Sequence, residues 1–328
     1  MQGHLKHQLA TAALVAALVV SPATAETWPT RPVTMVVPFA AGSASDTVGR
    51  ILAARLSEVL GQQVVIENIG GAGGMTGTAR VANALPDGYQ FVIGSLDTMA
   101  MNQALYRKMP YDAVADFIPV GLVIEQPMVL VARNDLPGNT LADFIGYAKA
   151  NQAKMQYGSA GVGSGSHLTC ARINARIGIE TTHVPYRGSA QAMQDLMAGR
   201  IDYFCALGAA AMAPLEGKTA KGIATLTRER SPLFANLATA HEQGLTDFAV
   251  NFWSGFFLPK GTPPDIRQRL VAATAETLNT PLTQERLRNA GVTVVAADRR
   301  SSDYLKTFLA GEIGLWTGII RASGVSLD

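Results

Sequence analysis

The sequence predicts an α/β protein of two lobes, each a mostly parallel sheet flanked by helices. Its 328 residues are too many for one small core and fit two domains of about 150 residues. Strand-like runs alternate with helix-like runs, a pattern typical of parallel sheets covered by helices. The composition is 48% hydrophobic with a net charge of +2, which excludes disorder as the main state and gives no electrostatic signal for nucleic acid.

The first 25 residues predict a secretory signal peptide. Residues 9–20 are apolar apart from one threonine, and Ala23-Thr24-Ala25 fits the small-x-small cleavage rule. An uncleaved anchor is the alternative, but the apolar run is shorter than the about 20 residues that span a membrane. We therefore expect cleavage before Glu26 and a mature protein in the periplasm.

The first third of the mature chain shows the alternation most clearly. Val33 to Val37 form a continuous apolar run, and Val48, Leu52 and Leu56 recur at helical spacing until Gly61 stops the helix. The pattern predicts strands at 33–37, 63–67 and 90–94, with helices at 48–60, from the 70–74 turn to about 84, and at 97–105.

The same alternation continues to the end of the chain. We predict further strands at 128–132, 155–158, 182–184, 201–206, 222–225 and 252–258. The helices between and after them are predicted at 141–150, 167–177, 190–198, 209–215, 263–278, 282–290 and 303–322. Trp253, Phe256 and Phe257 are expected to pack in the core.

Sequence motifs for catalysis, cofactors or metals are missing. Gly217-Lys218-Thr219 lacks the first glycine of a phosphate loop, and His241-Glu242 lacks the second histidine of a zinc helix. No serine sits in G-x-S-x-G. Cys170 and Cys205 are too few for a cysteine metal site, and in an oxidising compartment they either form a disulfide or remain buried thiols. The missing motifs do not by themselves exclude an enzyme, but they indicate none of the common chemistries, and we predict no metal and no cofactor.

Four turns at which a strand feeds a helix are rich in glycine and serine. They cover residues 38–46, 94–98, 158–167 and 185–189. Ligands of open α/β sheets bind at the carboxyl ends of strands, and a helix N-terminus favours an anion. In the first turn, Ser45 or Asp46 is expected to cap the helix. The alternative for each turn alone is a plain capping loop.

These turns, with other blocks in the same order, resemble the solute receptors of tripartite tricarboxylate transporters, the TctC or Bug family. The blocks include Pro86-Asp87-Gly88-Tyr89, Met109-Pro110-Tyr111-Asp112 and His183-Val184-Pro185-Tyr186-Arg187-Gly188. Further blocks lie at 28–32, 37–46, 67–74, 158–168, 195–202 and 255–263. The chain departs from the family pattern at Ser43, Ser45, Ile69, Gly70 and Arg187, which bears on the ligand rather than the fold.

The resemblance implies a periplasmic-binding-protein (Venus flytrap) architecture that closes on a small carboxylate. It implies two chain crossings, near 123–126 and 250–254, so that lobe one comprises 26–124 and 250–328 and lobe two comprises 125–249. The expected ligand contacts are Phe39, Ser43, Ser45, Asp46, Ser95, Ser159, Gly161, Gly163, Ser164, His167 and Tyr186. For Asp46 and His167, a structural role at a helix start is the alternative.

The function that follows is a monomeric periplasmic receptor for a di-, tri- or aromatic carboxylate. It would deliver the ligand to the membrane subunits of a tripartite transporter and would perform no reaction. Two alternatives stay open at this point. One is a sensing subunit for a signalling partner, and the other is an exported hydrolase that uses a serine with His167 or His183.

Overall fold

A computed structural model describes residues 28–323, so the predicted signal peptide and its cleavage site lie outside the described residues. Within this range, none of the helices combines the length and the apolar character that a membrane crossing requires. The strands are β1 (Val33–Val37), β2 (Val64–Asn68), β3 (Gln90–Ser95), β4 (Phe117–Ala132), β5 (Gln156–Ser159), β6 (Thr182–Pro185), β7 (Tyr203–Leu207), β8 (Lys221–Thr225), β9 (Asn251–Pro259) and β10 (Thr293–Val294).

The helices match the predicted ones in number and order. They are α1 (Ala44–Leu60), α2 (Met75–Ala82), α3 (Asn102–Leu105, preceded by a π turn over Asp97–Met101), α4 (Leu141–Asn151), α5 (Gly165–Ile177), α6 (Ser189–Met197), α7 (Gly208–Glu216), α8 (Pro264–Asn279), α9 (Pro281–Asn289) and α10 (Ser302–Ser323). The predicted stop of α1 is confirmed, since Gly61 ends the helix in the left-handed conformation that glycine adopts without strain.

The described strands form one continuous sheet with two halves that share β4. One half has the order β2-β1-β3-β9-β4 with β10 also on β4, and the other has β6-β5-β7-β4 with β8 on the far side of β4. The outer pairs β1–β2, β1–β3, β5–β6 and β5–β7 are parallel, as predicted. The strands next to β4 and β9 are antiparallel, so the sheet as a whole is mixed.

Strand β4 differs most from its prediction. It was expected at 128–132 but begins at Phe117. Pro119, Gly121 and Pro127 break the sequence pattern, because proline and glycine usually interrupt strands. In the structure, two register shifts against β9 absorb the irregular residues between Pro119 and Ile124. The longer strand carries the chain from one half of the sheet to the other.

The core forms on both faces of the sheet. Val33, Met35 and Val37 of β1 pack with α1 residues, while Val36 packs on the opposite face. Alternate residues of a strand point to opposite faces, so a strand buried on both sides reads as a continuous apolar run. On β9, Trp253, Phe256 and Phe257 are fully buried, which confirms their predicted place in the core.

Candidate functional site

The turn after β1 holds the N-terminus of α1. Ser43 caps the helix: its backbone is extended, and its hydroxyl accepts from the Asp46 amide at 3.2 Å. The prediction that Ser45 or Asp46 caps the helix was therefore wrong by two or three positions. Ser43 takes the cap because its side chain lies three residues before the amide that needs an acceptor.

Asp46 stabilises the same turn from inside the helix. Its Oδ2 accepts from the Gly42 amide at 2.8 Å and from Arg50 Nε at 2.9 Å, and its Oδ1 accepts from Asn68 Nδ2 at 2.9 Å. Burial opposes ionisation, but these hydrogen bonds together hold the pKa of the Asp46 carboxyl below its usual value. The Asp46 carboxylate thus accepts its hydrogen bonds from donors of the protein itself.

The Gly/Ser turn after β5 holds the N-terminus of α5 in the same way. Ser164 caps this helix by accepting from the His167 amide at 3.3 Å. The amide of Gly161 donates to Ser159 Oγ at 3.1 Å, and the amide of Gly163 donates to His167 Nδ1 at 3.2 Å. These internal bonds fix the shape of the turn and use the two glycine amides.

The turns from the two halves of the sheet touch one another. The hydrogen bonds that join them are Ala40 N to Arg187 O at 3.3 Å, Ala44 N to Ser189 Oγ at 2.9 Å, Gly165 N to Asp97 Oδ2 at 3.0 Å and Tyr106 OH to Val162 O at 3.4 Å. Residues on opposite sides of the contact are up to 147 positions apart in sequence, as for Ala40 and Arg187. The four bonds define a closed arrangement of the turns.

A small cavity of about 20 Å³ remains between these turns. Its lining is Phe39, Ser43, Ala44, Ser45, Asp97, Ala160, Ser164, Ser166, Ser189, Phe204, Leu207 and Phe252. Four predicted contacts, Phe39, Ser43, Ser45 and Ser164, are therefore brought together at one place. Asp97, Ser166 and Ser189 lie in the predicted turns and also line the cavity, but they were not among the expected contacts.

The remaining predicted residues lie around the cavity rather than in its lining. Ser95 and Ser159 are buried behind it, where Ser95 Oγ donates to Asp97 Oδ1 at 2.5 Å. Tyr186 is half-buried, and its hydroxyl donates to Asp195 at 2.7 Å. Arg187, one of the departures from the family pattern, is exposed. The assignment of all these residues to a ligand stays a prediction.

Two helix amides at the cavity have no acceptor in the described part of the chain. They belong to Ser45 in α1 and Ser166 in α5, each at the second helical position of a lining segment. The first amides of a helix have no partner within the helix and carry its partial positive charge. Both residues line the cavity, one from each half of the sheet.

Two stacked histidines lie behind the Gly/Ser turn. The ring of His167 stacks on His183 with centroids 4.1 Å apart, and Tyr157 stacks on His183 at 4.8 Å. Burial lowers the pKa of His167 to about 4, and burial with the neighbouring His167 lowers that of His183 to about 4. Both rings are neutral at pH 7, so neither supplies positive charge to an anion.

The lowered pKa of His167 predicts that the protein loses stability in acid. Between pH 6.5 and about 4, the unfolded chain binds a proton at this histidine that the folded chain does not, so the free energy of unfolding falls as the pH falls. His167→Asn keeps an acceptor for the Gly163 amide and removes the titration. Urea unfolding at pH 7, 5.5 and 4.5 should show a shallower pH dependence for this variant, and equal slopes would contradict the account.

Ser159 and His183 do not form a catalytic pair in this setting. Ser159 Oγ lies 2.7 Å from His183 Nε2, the distance that a nucleophile and its base would have. Burial keeps the pKa of His183 near 4, below the range useful to a general base at neutral pH. No described carboxylate bonds to the other ring nitrogen. The contact therefore anchors β5 to β6.

The two cysteines join α5 to β7. Cys170 and Cys205 form a disulfide, with Cα atoms 5.6 Å apart, and both residues are fully buried. The bond ties the helix that begins at the cavity to the sheet beneath it. Among the described residues, no group of three or more histidine, cysteine or acidic side chains is placed to hold a metal ion.

A larger cleft of about 680 Å³ lies elsewhere, at the junction of β4, β9 and α10. It is lined by Glu125, Glu312 and Trp316 among others, and Glu125 is paired with Arg299 at 2.6 Å. It has neither converging helix N-termini nor the glycine-rich turns. The turns around the small cavity are therefore the better candidate for ligand capture, although the cavity has room for about one water molecule until the turns separate.

The fold and the cavity define a class of protein: a bilobal α/β binding protein in which helix N-termini from both halves meet at one enclosed site. Solved structures of this kind match the chain over most of its length. BugD, a periplasmic binding protein, superposes with a TM-score of 0.89 at 34% identity, covering 92% of this chain and 100% of that chain. MatC from Rhodopseudomonas palustris, solved with bound malate, gives 0.86 at 36% identity, covering 89% and 100%.

Three further comparisons agree. A protein from R. palustris solved with adipate has a TM-score of 0.86 at 34% identity, covering 91% of this chain and 99% of that chain. A protein encoded in the ttuE–ttuC' intergenic region of Agrobacterium vitis is 37% identical over 299 residues, 91% of this chain and 86% of the relative. The family profile described as tripartite tricarboxylate transporter family receptor matches residues 48–325. The chain belongs to this family, and it is a solute-binding protein rather than an enzyme.

Proposed function

We propose that the protein captures a small dicarboxylate in the cavity between α1 and α5. The observation that carries the proposal is that Ser45 and Ser166, whose amides are unpartnered, line one cavity from the two halves of the sheet. Carboxylates are favoured at helix N-termini, where backbone donors and the helix dipole act together. The lining hydroxyls of Ser43 and Ser189 accept from backbone amides and keep their own protons as further donors.

The cavity lining has no lysine, arginine or histidine side chain. Recognition would therefore depend on oriented backbone donors rather than on ion pairs, which suits a receptor that must also release its ligand. MatC with malate and the adipate-bound protein from R. palustris support a ligand with two carboxylates.

Capture would involve closure of two lobes about β4 and β9. The pairing of β4 changes from β9 to β7 between Pro127 and Met128, and β9 begins at Asn251. We propose lobes of 26–124 with 250–328 and of 125–249. The four hydrogen bonds between the turns belong to the closed form, so ligand would shift the population towards it.

We further propose that the protein is exported, is cleaved before Glu26 and works as a monomer. The ligand would pass to the membrane subunits of a tripartite transporter, the partner that the family name indicates. No observation on the described residues favours the alternative of a sensing subunit for a signalling partner.

A melting-temperature screen of refolded, ligand-free protein tests the proposal. Each diacid is compared with its neutral diamide, so that adipate and adipamide differ in charge but not in length. A ligand at 100 times its Kd stabilises the folded state by about 2.7 kcal/mol. We expect diacids to raise the melting temperature and diamides to leave it unchanged. Equal shifts for both series, or none from a broad panel of diacids, would contradict the proposal.

A further inference from the structure

Asp97 is a buried carboxylate at the edge of the candidate site. It is 3% exposed and lines the cavity. Its Oδ1 accepts from Ser95 Oγ at 2.5 Å and from the Thr98 amide at 2.9 Å, and its Oδ2 accepts from the Gly165 amide at 3.0 Å. A carboxylate oxygen takes up to two donors, so Oδ2 has one acceptor position left.

No cationic side chain balances this carboxylate. Every other lining residue carries a hydroxyl or is apolar, and the two histidines nearby are neutral at pH 7. Burial raises the pKa of Asp97 even though three donors favour its ionised form. The N-terminus of α5 gives partial compensation through Gly165. A buried charge that is only partly compensated costs free energy unless an opposite charge lies beside it.

A plain dicarboxylate would add a like charge beside Asp97. An ammonium group on the ligand removes that conflict, because it supplies the missing positive charge and a donor for Oδ2. Three aromatic rings, Phe39, Phe204 and Phe252, also line the cavity, and aromatic faces attract cations. The lining is thus suited to positive charge near Asp97 and to negative charge near the Ser45 and Ser166 amides.

We propose that Asp97 is the counter-ion for a protonated amine of the ligand, so that the receptor selects amino dicarboxylates over dicarboxylates of the same length. This inference rests on the proposed capture of a carboxylate and names its substrate class. Asp97 acts here as a specificity residue that contacts the ligand.

A structural role for Asp97 makes a different prediction. The bond from Gly165 to Asp97 also joins the two turns, so Asp97 could serve only to hold the closed form. In that case its loss would weaken every ligand by the same factor. Tyr106→Phe is the matched control, because it removes another bond between the turns, to Val162, without changing charge at the cavity.

Titration calorimetry with two ligand pairs separates these roles. The pairs are succinate with aspartate and adipate with 2-aminoadipate, each differing only by the amino group. For the wild type we expect at least tenfold tighter binding of the amino member. In Asp97→Asn that preference should disappear. Tyr106→Phe should weaken the binding of both members equally and should keep the preference for the amino member.

A failure of the Asp97 proposal can be distinguished from a failure of the proposed carboxylate site. If neither member of any pair binds the folded wild type, the proposed function fails. If the wild type binds succinate or adipate as tightly as its amino partner, dicarboxylate capture stands and the role of Asp97 is overturned. This second result does not depend on whether Asp97→Asn folds. An equal loss of both members in Asp97→Asn would also overturn it and leave Asp97 as a structural contact.

Discussion

Gly73→Ala is expected to weaken ligand binding by about 5- to 150-fold while leaving the protein folded. A Cβ at this position would lie 2.6 Å from the carbonyl oxygen of Val162, 2.8 Å from the carbonyl carbon of Gly163 and 2.9 Å from the amide of Ser164. These are backbone atoms of the opposite turn, so the turns must separate. Overpacking of this kind costs about 1–3 kcal/mol. A cost of that size corresponds to a loss of about 5- to 150-fold in affinity.

Gly61→Ala is the matched control for this variant. Gly73 and Gly61 both have positive φ, 60° and 72°, so alanine strains the backbone at either position. A Cβ at Gly61 meets nothing within 4 Å. Both variants should lose comparable stability, and only Gly73→Ala should lose affinity in calorimetry. Wild-type affinity in a folded Gly73→Ala protein would show that the closed arrangement is not the binding form.

The double variant Cys170→Ala/Cys205→Ala is expected to lose about 4 kcal/mol of unfolding free energy on the loop-closure estimate. The disulfide links residues 35 positions apart, and its loss frees that loop in the unfolded chain. Urea unfolding of the oxidised wild type, the reduced wild type and the double variant measures the effect. The last two should agree closely. A double variant as stable as the oxidised protein would contradict the estimate.

The order of elements was predictable because local patterns determine it. The apolar run of β1 and the helical spacing of α1 lead to the observed elements, and Gly61 ends α1 as expected. The prediction failed at β4 because proline and glycine residues that normally end a strand are accommodated by irregular pairing with β9. That partner comes from a segment more than a hundred residues later, so no local pattern reveals it.

The site was predictable in outline for the same reason. Glycine- and serine-rich turns placed Phe39, Ser43, Ser45 and Ser164 at the cavity, since these residues follow strands and begin helices. The place of Asp97 was not predictable, because its third donor, Gly165, belongs to the other half of the sheet. The capping residue of α1 was misplaced because serines at 43 and 45 both satisfy the local rule, and only the backbone geometry distinguishes them.

The amide resonances of Ser45 and Ser166 report on carboxylate capture between the N-termini of α1 and α5. Protein labelled with ¹⁵N-serine is titrated with a carboxylate from the screen, and Ser45→Ala and Ser166→Ala variants assign the two signals. Both amides should shift downfield with one common saturation curve, because each gains a hydrogen bond to the bound carboxylate. Saturable binding that leaves both signals unmoved would contradict capture between the N-termini of α1 and α5.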